Sequence, residues 1–280
     1  MRKIIFYFTG TGNSCFIAKR LSEKLNAELI PIASVIRNRN DYFETELAGI
    51  VYPVYYANTP NIVREFCRKT AFHPDTRLFA VCNYGGGRGE AIKTVETILK
   101  GKGRNLSSSF GVQMPQNAFL KKYERKEKVL SKGEAMIDRV ITCVHQNKNG
   151  HHAQNIPLDV FAQSFLFILK PVFGKYLIQK AGLHKGASLE AAVYRLDRSF
   201  AANENCTGCG ICASVCPVDN ITMNNGKPEW QHRCENCLAC VNFCPVNAID
   251  NEITDKGYRY KHPAYSLKAA MMQRKFNDSV

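Results

Sequence analysis

Eight of the twelve cysteines fall between residues 206 and 244, in two runs of identical spacing. Cys206, Cys209, Cys212 and Cys216 read C-x2-C-x2-C-x3-C-P, and Cys234, Cys237, Cys240 and Cys244 repeat the pattern 28 residues later. The repeat outruns the thiols, because "CPVDNI" at 216–221 answers "CPVNAI" at 244–249. Three cysteines on one tight loop reach three irons of a cubane [4Fe–4S] cluster, and the fourth ligand comes from elsewhere. Zinc also takes C-x2-C pairs, but two complete four-cysteine runs closed by proline favour iron. In a reducing compartment such clustering points to metal or redox chemistry, not disulfides.

In two-cluster ferredoxins, which carry two such runs, the fourth cysteine of each ligates the other cluster. That pattern assigns Cys206, Cys209, Cys212 and Cys244 to one cluster. Cys234, Cys237, Cys240 and Cys216 go to the other. Cross-ligation of this kind lends a small module the stability of its metal bonds. Gly208 and Gly210 let the backbone approach sulfur closely. Pro217 and Pro245 end the loops, and Ile221 and Ile249 are expected beside the clusters. Cys15, Cys67, Cys82 and Cys143 are scattered and read as small hydrophobes.

A second chemistry is written at the front. "FTGTGNS" (8–14) stands between an apolar run and a helical pattern, where a phosphate fits against backbone N–H groups and the positive end of a helix. The dinucleotide fingerprint fails because Cys15 stands where the third glycine belongs, and the P-loop fails for want of G-K-[ST]. What remains is Thr9, Gly10, Thr11, Gly12, Asn13 and Ser14, which hold a phosphate through hydroxyls and amides or else form an ordinary turn and cap. Two later loops bear on the choice, "PVYYANTP" (53–60) and "NYGGGRGE" (83–90). Pro53, Val54, Tyr55, Tyr56, Asn83, Tyr84, Gly85 and Gly86 are the candidates there, with Gly87 beside them. Tyr55, Tyr56 and Tyr84 either stack on a flat ring or pack as ordinary aromatics.

The elements that must position these loops follow from periodicity. Strands are expected at 2–8, 28–32, 47–54, 76–83 and 108–114, and helices at 14–25, 59–70 (Thr59 as cap) and 89–100. Strands alternating with helices give an α/β open parallel sheet covered on both faces. For a sheet of order 2-1-3-4-5, a ligand lies outside the carboxyl ends of the strands at the switch point, where all three loops fall. Residues 119–149 are charged and read as helical. Residues 158–184 are strongly apolar around Lys170 and Pro171. They read as a helix kinked or broken at Pro171 that packs over the sheet, as a lid, or as a membrane-surface helix. The division is 1–118 sheet domain, 119–195 mostly helical linker, 196–255 cysteine module and 256–280 basic tail.

The chain has 280 residues and a formal charge of +14, unevenly spread. Residues 195–255 hold four Lys/Arg against eight Asp/Glu, a net of −4, which leaves +18 on the rest. A basic body beside an acidic module suggests mutual docking or an acidic partner; no recognition motif supports nucleic acid. The apolar run Ile4–Phe8 is too short for a signal-peptide core, and no run reaches the 18 or so apolar residues of a membrane span. A cytoplasmic protein is expected.

Residues 206–249 resemble a bacterial-type two-cluster ferredoxin, and Thr9–Ser14 resembles the flavodoxin signature T-x-T-G-x-T with serine last. Together with "YPVYYANTP", "GVQMPQNAF" and "PEWQHRCENCLACVNFCPVNAI", the chain is similar to the fused flavodoxin–ferredoxin proteins of anaerobic bacteria and archaea. The stretch 119–195 departs from a plain flavodoxin. The resemblance implies a five-stranded flavodoxin-like sheet, FMN at the three loops and two [4Fe–4S] clusters. It implies an electron carrier between redox partner proteins, with donor and acceptor left open. A reductase of a quinone or a nitro- or azo-aromatic is the alternative, and a non-redox sensor of oxygen or iron is the third. No paired carboxylates or nucleophile constellation singles out a catalytic residue.

Overall fold

The computed structural model describes residues 2–39, 41–118, 126–152, 172, 174–254 and 257–274. The front half runs β1 (Lys3–Tyr7), α1 (Asn13–Leu25), β2 (Glu28–Pro31), α2 (Ile32–Asn38), β3 (Tyr42–Phe43) and β4 (Leu47–Pro53). There follow α3 (Asn61–Lys69), β5 (Ala71–Phe72), β6 (Arg77–Tyr84), α4 (Ala91–Lys100), β7 (Leu106–Gln113), α5 (Lys126–His145) and β8 (Gly150–His152). Residues 174–180 are helical (α6). The remainder is α7 (Leu189–Arg195), β9 (Ala201–Ala202), α8 (Ile211–Ser214), β10 (Ile221–Asn224) and β11 (Lys227–Trp230), then α9 (Ala239–Phe243), β12 (Ile249–Asp250) and α10 (Leu267–Met272).

The main sheet has the order β2-β1-β4-β6-β7-β8, with every pair parallel. Its five long strands give the order 2-1-3-4-5 expected from sequence, the flavodoxin-like arrangement. Among the described residues the sheet nevertheless has six strands, not five. The sixth, β8, adds to the β7 edge through Ser108↔Gly150 and Phe110↔His152. Its sequence, Gly-His-His, carries no apolar alternation, so the strand pattern could not reveal it.

Parallel strands buried on both faces read as continuous apolar runs, and β4 is buried at every residue. On one face α1 lays down Ile17, Ala18, Leu21 and Leu25, with Met136, Ile137 and Val140 of α5 beside them. On the other, Phe6 meets Phe43, Phe66 and Phe72 at centroid distances of 4.8, 5.0 and 5.9 Å. Each buried ring of this kind contributes about 1.5–3 kcal/mol. The second core does not stop at the sheet domain. Val215, Cys237 and Phe243 of the cysteine module, and Tyr265 and Ala270 after it, belong to the same buried cluster.

One local expectation changes. Helix α3 starts at Asn61 behind Pro60, and the Thr59 hydroxyl donates to the Ala91 carbonyl (2.6 Å) instead of capping α3. In the linker, α5 (Lys126–His145) lies within the stretch 119–149 that was read as helical. Residues 119–125 and 153–171, with the break expected at Pro171, lie outside the described residues. Among the described residues, no helix is long and apolar enough to cross a membrane.

Candidate functional site

Strand β1 delivers the chain to a turn at 9–12, and Gly12 (φ 105°) swings it into α1. Only glycine adopts this backbone without strain. The Thr9 hydroxyl oxygen accepts the Gly12 N–H (3.0 Å), which closes the loop on itself. Asn83 Nδ2 donates to Ser14 Oγ (2.5 Å) and ties the loop to the end of β6. The first N–H groups of a helix lack intrahelical acceptors and carry partial positive charge. In α1 they begin at Asn13, on the wall of a cavity of about 990 Å³. That volume is at the upper end of the roughly 300–1,000 Å³ typical of small-molecule sites.

Thirteen of the fourteen loop residues named from sequence line this cavity: Thr9, Gly10, Thr11, Asn13, Ser14, Pro53, Val54, Tyr55, Tyr56, Asn83, Tyr84, Gly85 and Gly86. Gly12 does not; a Cβ there would overlap the ring of Tyr265 on the loop's far side. Residues 55–58 form a two-residue turn closed by Tyr55 N–H to Asn58 O (3.0 Å) and Asn58 N–H to Tyr55 O (2.9 Å). Tyr56 (φ 50°) and Ala57 (φ 57°) are both left-handed, which makes it a type I′ turn without the usual Asn-Gly. The Glu90 N–H bond to Ala57 O (2.9 Å) holds the strained turn in place.

Tyr55 is more than a candidate stacking ring. Its hydroxyl lies against the Gly10 backbone, and its ring meets Phe8 edge-on at 6.4 Å. Burial pushes its phenol well above the ordinary range, as does that of Tyr56. The backbone of Gly10 touches that of Cys237, since a Cβ on Gly10 would overlap the Cys237 carbonyl oxygen. Asn117 Nδ2 donates to the same carbonyl (3.3 Å). The front loop and the second cysteine run are therefore in direct contact, and Asn236 and Leu238 of that run line the cavity too.

The two cysteine runs repeat in backbone as well as in sequence. Asn220 N–H donates to Cys216 Sγ and Ala248 N–H to Cys244 Sγ, both at 3.2 Å. Asp219 (φ 52°) matches Asn247 (φ 51°), and Gly208 (φ 71°) matches Asn236 (φ 53°). Cys206, Cys209, Cys212 and Cys244 ring one small chamber with Ile249, Met223 and Val246. Cys216, Cys234, Cys237 and Cys240 are all buried. Cys209 is exposed, so the first set is the outer one and the second the inner. Burial pushes the Cys212 thiol up to about 11 and Cys237 up to about 12. A metal must displace those protons to bind. Among the described residues, no three His, Cys, Asp or Glu side chains are placed to hold one single metal ion.

Glu235, between two inner cysteines, is 2% exposed. Its Oε1 accepts the Ile62 N–H (2.9 Å), so the cysteine module caps α3 of the sheet domain. Burial raises its carboxyl to about 8, against the lowering effect of the Ile62 and Asn61 N–H bonds. Helix α7 wedges the same junction: Asn236 Nδ2 donates to Val193 O (2.5 Å), and Arg64 pairs with Glu190 (3.1 Å).

Sequence reasoning missed Asn236, Leu238, Pro115, Gln116, Asn117 and Ala118 as cavity residues. Only "GVQMPQNAF" carried a hint for the last four. The site fits a flavin mononucleotide by its donors. Loop 9–14 offers hydroxyls and helix N–H groups with no Lys or Arg of its own, and the walls beyond it combine Tyr55, Tyr56, Tyr84 and glycines with the charged Arg88, Glu90, Lys93 and Glu96. Among the described residues, the buried Asn236 Oδ1 has no hydrogen-bond partner.

A family model described as a 4Fe-4S dicluster domain matches residues 205–249. A search of curated proteins gave no match. Among solved structures, the Trp repressor binding protein from Bacillus subtilis is 16% identical with a TM-score of 0.34, over 49% of this chain and 98% of its own. A flavodoxin of Streptococcus pneumonia TIGR4 is 14% identical with a TM-score of 0.31, over 49% and 98%. Two-electron reduced Megasphaera elsdenii flavodoxin is 16% identical with a TM-score of 0.31, over 48% and 98%. Scores this low carry no weight of their own, and the fold rests on the strand order. The chain joins a flavodoxin-like parallel sheet to a region similar to 4Fe-4S dicluster domains.

Proposed function

We propose that this protein relays single electrons between redox partners through two [4Fe–4S] clusters and FMN. Clusters supply one-electron exchange and a flavin one- or two-electron exchange, so a chain with both converts between the two kinds of carrier. The observation that supports this reading best is the contact of Gly10 with Cys237 at the wall of the large cavity. It puts the inner cysteine set beside the flavin loops and leaves the outer set, with exposed Cys209, facing solvent.

Each group of residues has a task. The outer set Cys206, Cys209, Cys212 and Cys244 meets the partner, and the inner set Cys234, Cys237, Cys240 and Cys216 leads inward. The loop 9–14 holds the flavin phosphate by N–H and hydroxyl donors. Tyr55 braces that loop against Cys237, and Tyr56, Tyr84 and the glycines 85–87 border the ring site. The redox partners are proteins whose identity is open, and the protein is placed in the cytoplasm.

Anaerobic purification with metal, sulfide and flavin analysis tests the reading. The expectation is about eight irons and eight sulfides per chain, four of each per cubane, with FMN as the flavin. A reconstituted protein with clusters but no affinity for FMN would sink the flavin half. Steady turnover of a quinone or nitro-aromatic would favour the reductase alternative over a carrier.

A further inference from the structure

The segment after the second cysteine run returns to the front loop and holds it from behind. The His262 N–H donates to Thr11 O (2.8 Å), and the Tyr260 hydroxyl donates to Asn13 Oδ1 (2.7 Å). Tyr265 fills the space under Gly12. Gln273, only 1% exposed, reaches the start of the loop. Its Nε2 donates to Thr9 O (2.9 Å), and its Oε1 accepts the Thr9 N–H (3.0 Å). One side-chain amide thus satisfies both backbone groups of Thr9, as a neighbouring strand would. Because the Thr9 N–H can only donate and its carbonyl only accept, they fix which way the amide points, and Nε2 also donates to the Tyr265 hydroxyl (3.2 Å).

We propose that Gln273 is a positioning residue for the flavin phosphate: it sets the orientation of the Thr9 peptide and thereby of the donors at 9–14. The inference rests on the reading of that loop as the FMN phosphate site. The loop contains no Lys or Arg, so its grip depends on where its N–H and hydroxyl groups point. Thr9 is the residue whose hydroxyl receives the Gly12 N–H, so turning Thr9 turns the whole loop. The brace has a firm far end. Arg274 donates to the Ala213 carbonyl (3.1 Å) and pairs with Asp219, on the stretch that carries Cys212 and Cys216.

The test compares FMN with riboflavin, which lacks the phosphate, on full-length wild type, Gln273→Ala and Gln273→Glu. Glutamate keeps the shape and the acceptor for Thr9 N–H but sets an oxygen against Thr9 O. Both ligands are titrated into the same preparation, so the ratio of affinities does not depend on the folded fraction. Wild type is expected to prefer FMN. Both variants should lose about tenfold of that preference, the scale of one hydrogen bond, with riboflavin unchanged within about twofold. Equal loss of both ligands would make Gln273 merely structural and overturn the proposal. So would a preference kept in either variant. A wild type that binds riboflavin as well as FMN would instead overturn the phosphate-site reading itself.

Discussion

Gly210 and Leu238 occupy the same position in the two cysteine runs and the same left-handed backbone, φ 71° and 60°. Each stands just ahead of a short helix, α8 or α9. Among the described residues a methyl group on Gly210 would meet only open space, while Leu238 is 2% exposed and lines the large cavity. The left-handed backbone costs a leucine about 1–2 kcal/mol relative to glycine. The second run accepts that strain where it faces the cavity.

Substitutions at the pair separate strain from burial. Gly210→Ala adds only the backbone penalty, so it should cost about 1 kcal/mol. Leu238→Gly relieves strain but removes a buried side chain worth about 2–5 kcal/mol, so burial wins and the variant is the less stable of the two. Anaerobic thermal melts of both variants check the ranking. An equal or greater loss at Gly210 would contradict it.

Cysteine variants should tell the inner set from the outer. Cys209→Ser is expected to lose the outer cluster's signal and keep FMN, because the outer chamber does not touch the flavin loops. Cys237→Ser should lose the inner signal and weaken FMN as well, through the contact with Gly10. Low-temperature EPR with flavin titration reads both. Identical losses in the two variants would refute the division.

Much of this division was legible in the sequence, and the parts that were not share a cause. Iron ligation demands particular thiols at particular spacings, so the cysteine runs declared themselves. The cavity-wall residues of loop 9–14, all but Gly12, were legible for a similar reason: a tight turn into a helix selects Thr, Gly and Ser. The type I′ turn at Tyr56–Ala57 hid because tertiary bonds from Glu90, not Asn-Gly propensity, enforce it. Strand β8 hid because it pairs at an edge with only three residues and no apolar face. Asn236 and Leu238 hid because they reach the cavity through contacts between elements more than 200 residues apart, which no periodicity encodes.

Glu235 should behave as a cap for a helix in another part of the fold. Glu235→Ala removes the acceptor for the Ile62 N–H and should cost about 1–2 kcal/mol, the usual loss of an N-terminal cap. Glu235→Gln keeps an acceptor oxygen and should recover most of it. Chemical denaturation under anaerobic conditions measures the pair, and a glutamine variant as weak as alanine would argue against capping.

His262 gives a pH prediction. Burial pushes its imidazole from 6.5 down to about 4. Nδ1 already accepts the Ala264 N–H (3.2 Å), so the ring is neutral in the folded state, and it stacks on Phe16 at 4.2 Å. The unfolded chain takes up this proton near 6.5 and the folded chain only near 4. Stability should therefore fall as pH drops through that window and level off below it. His262→Asn keeps an acceptor and removes the titration. The stability advantage of wild type over this variant should shrink between pH 6.5 and 4, as followed by anaerobic melting. A constant difference would show that His262 does not titrate there.

The bonds between Thr9 and Gln273 join residues 264 positions apart. A ribosome therefore makes the front loop long before it makes the brace. Chains generally fold from the N-terminal side during synthesis, yet here the loop must wait until both cysteine runs have emerged before Gln273 can reach it. The front loop is the earlier of the two to be synthesised and the later to be finished. On the proposed reading, FMN loading follows the emergence of the cysteine module.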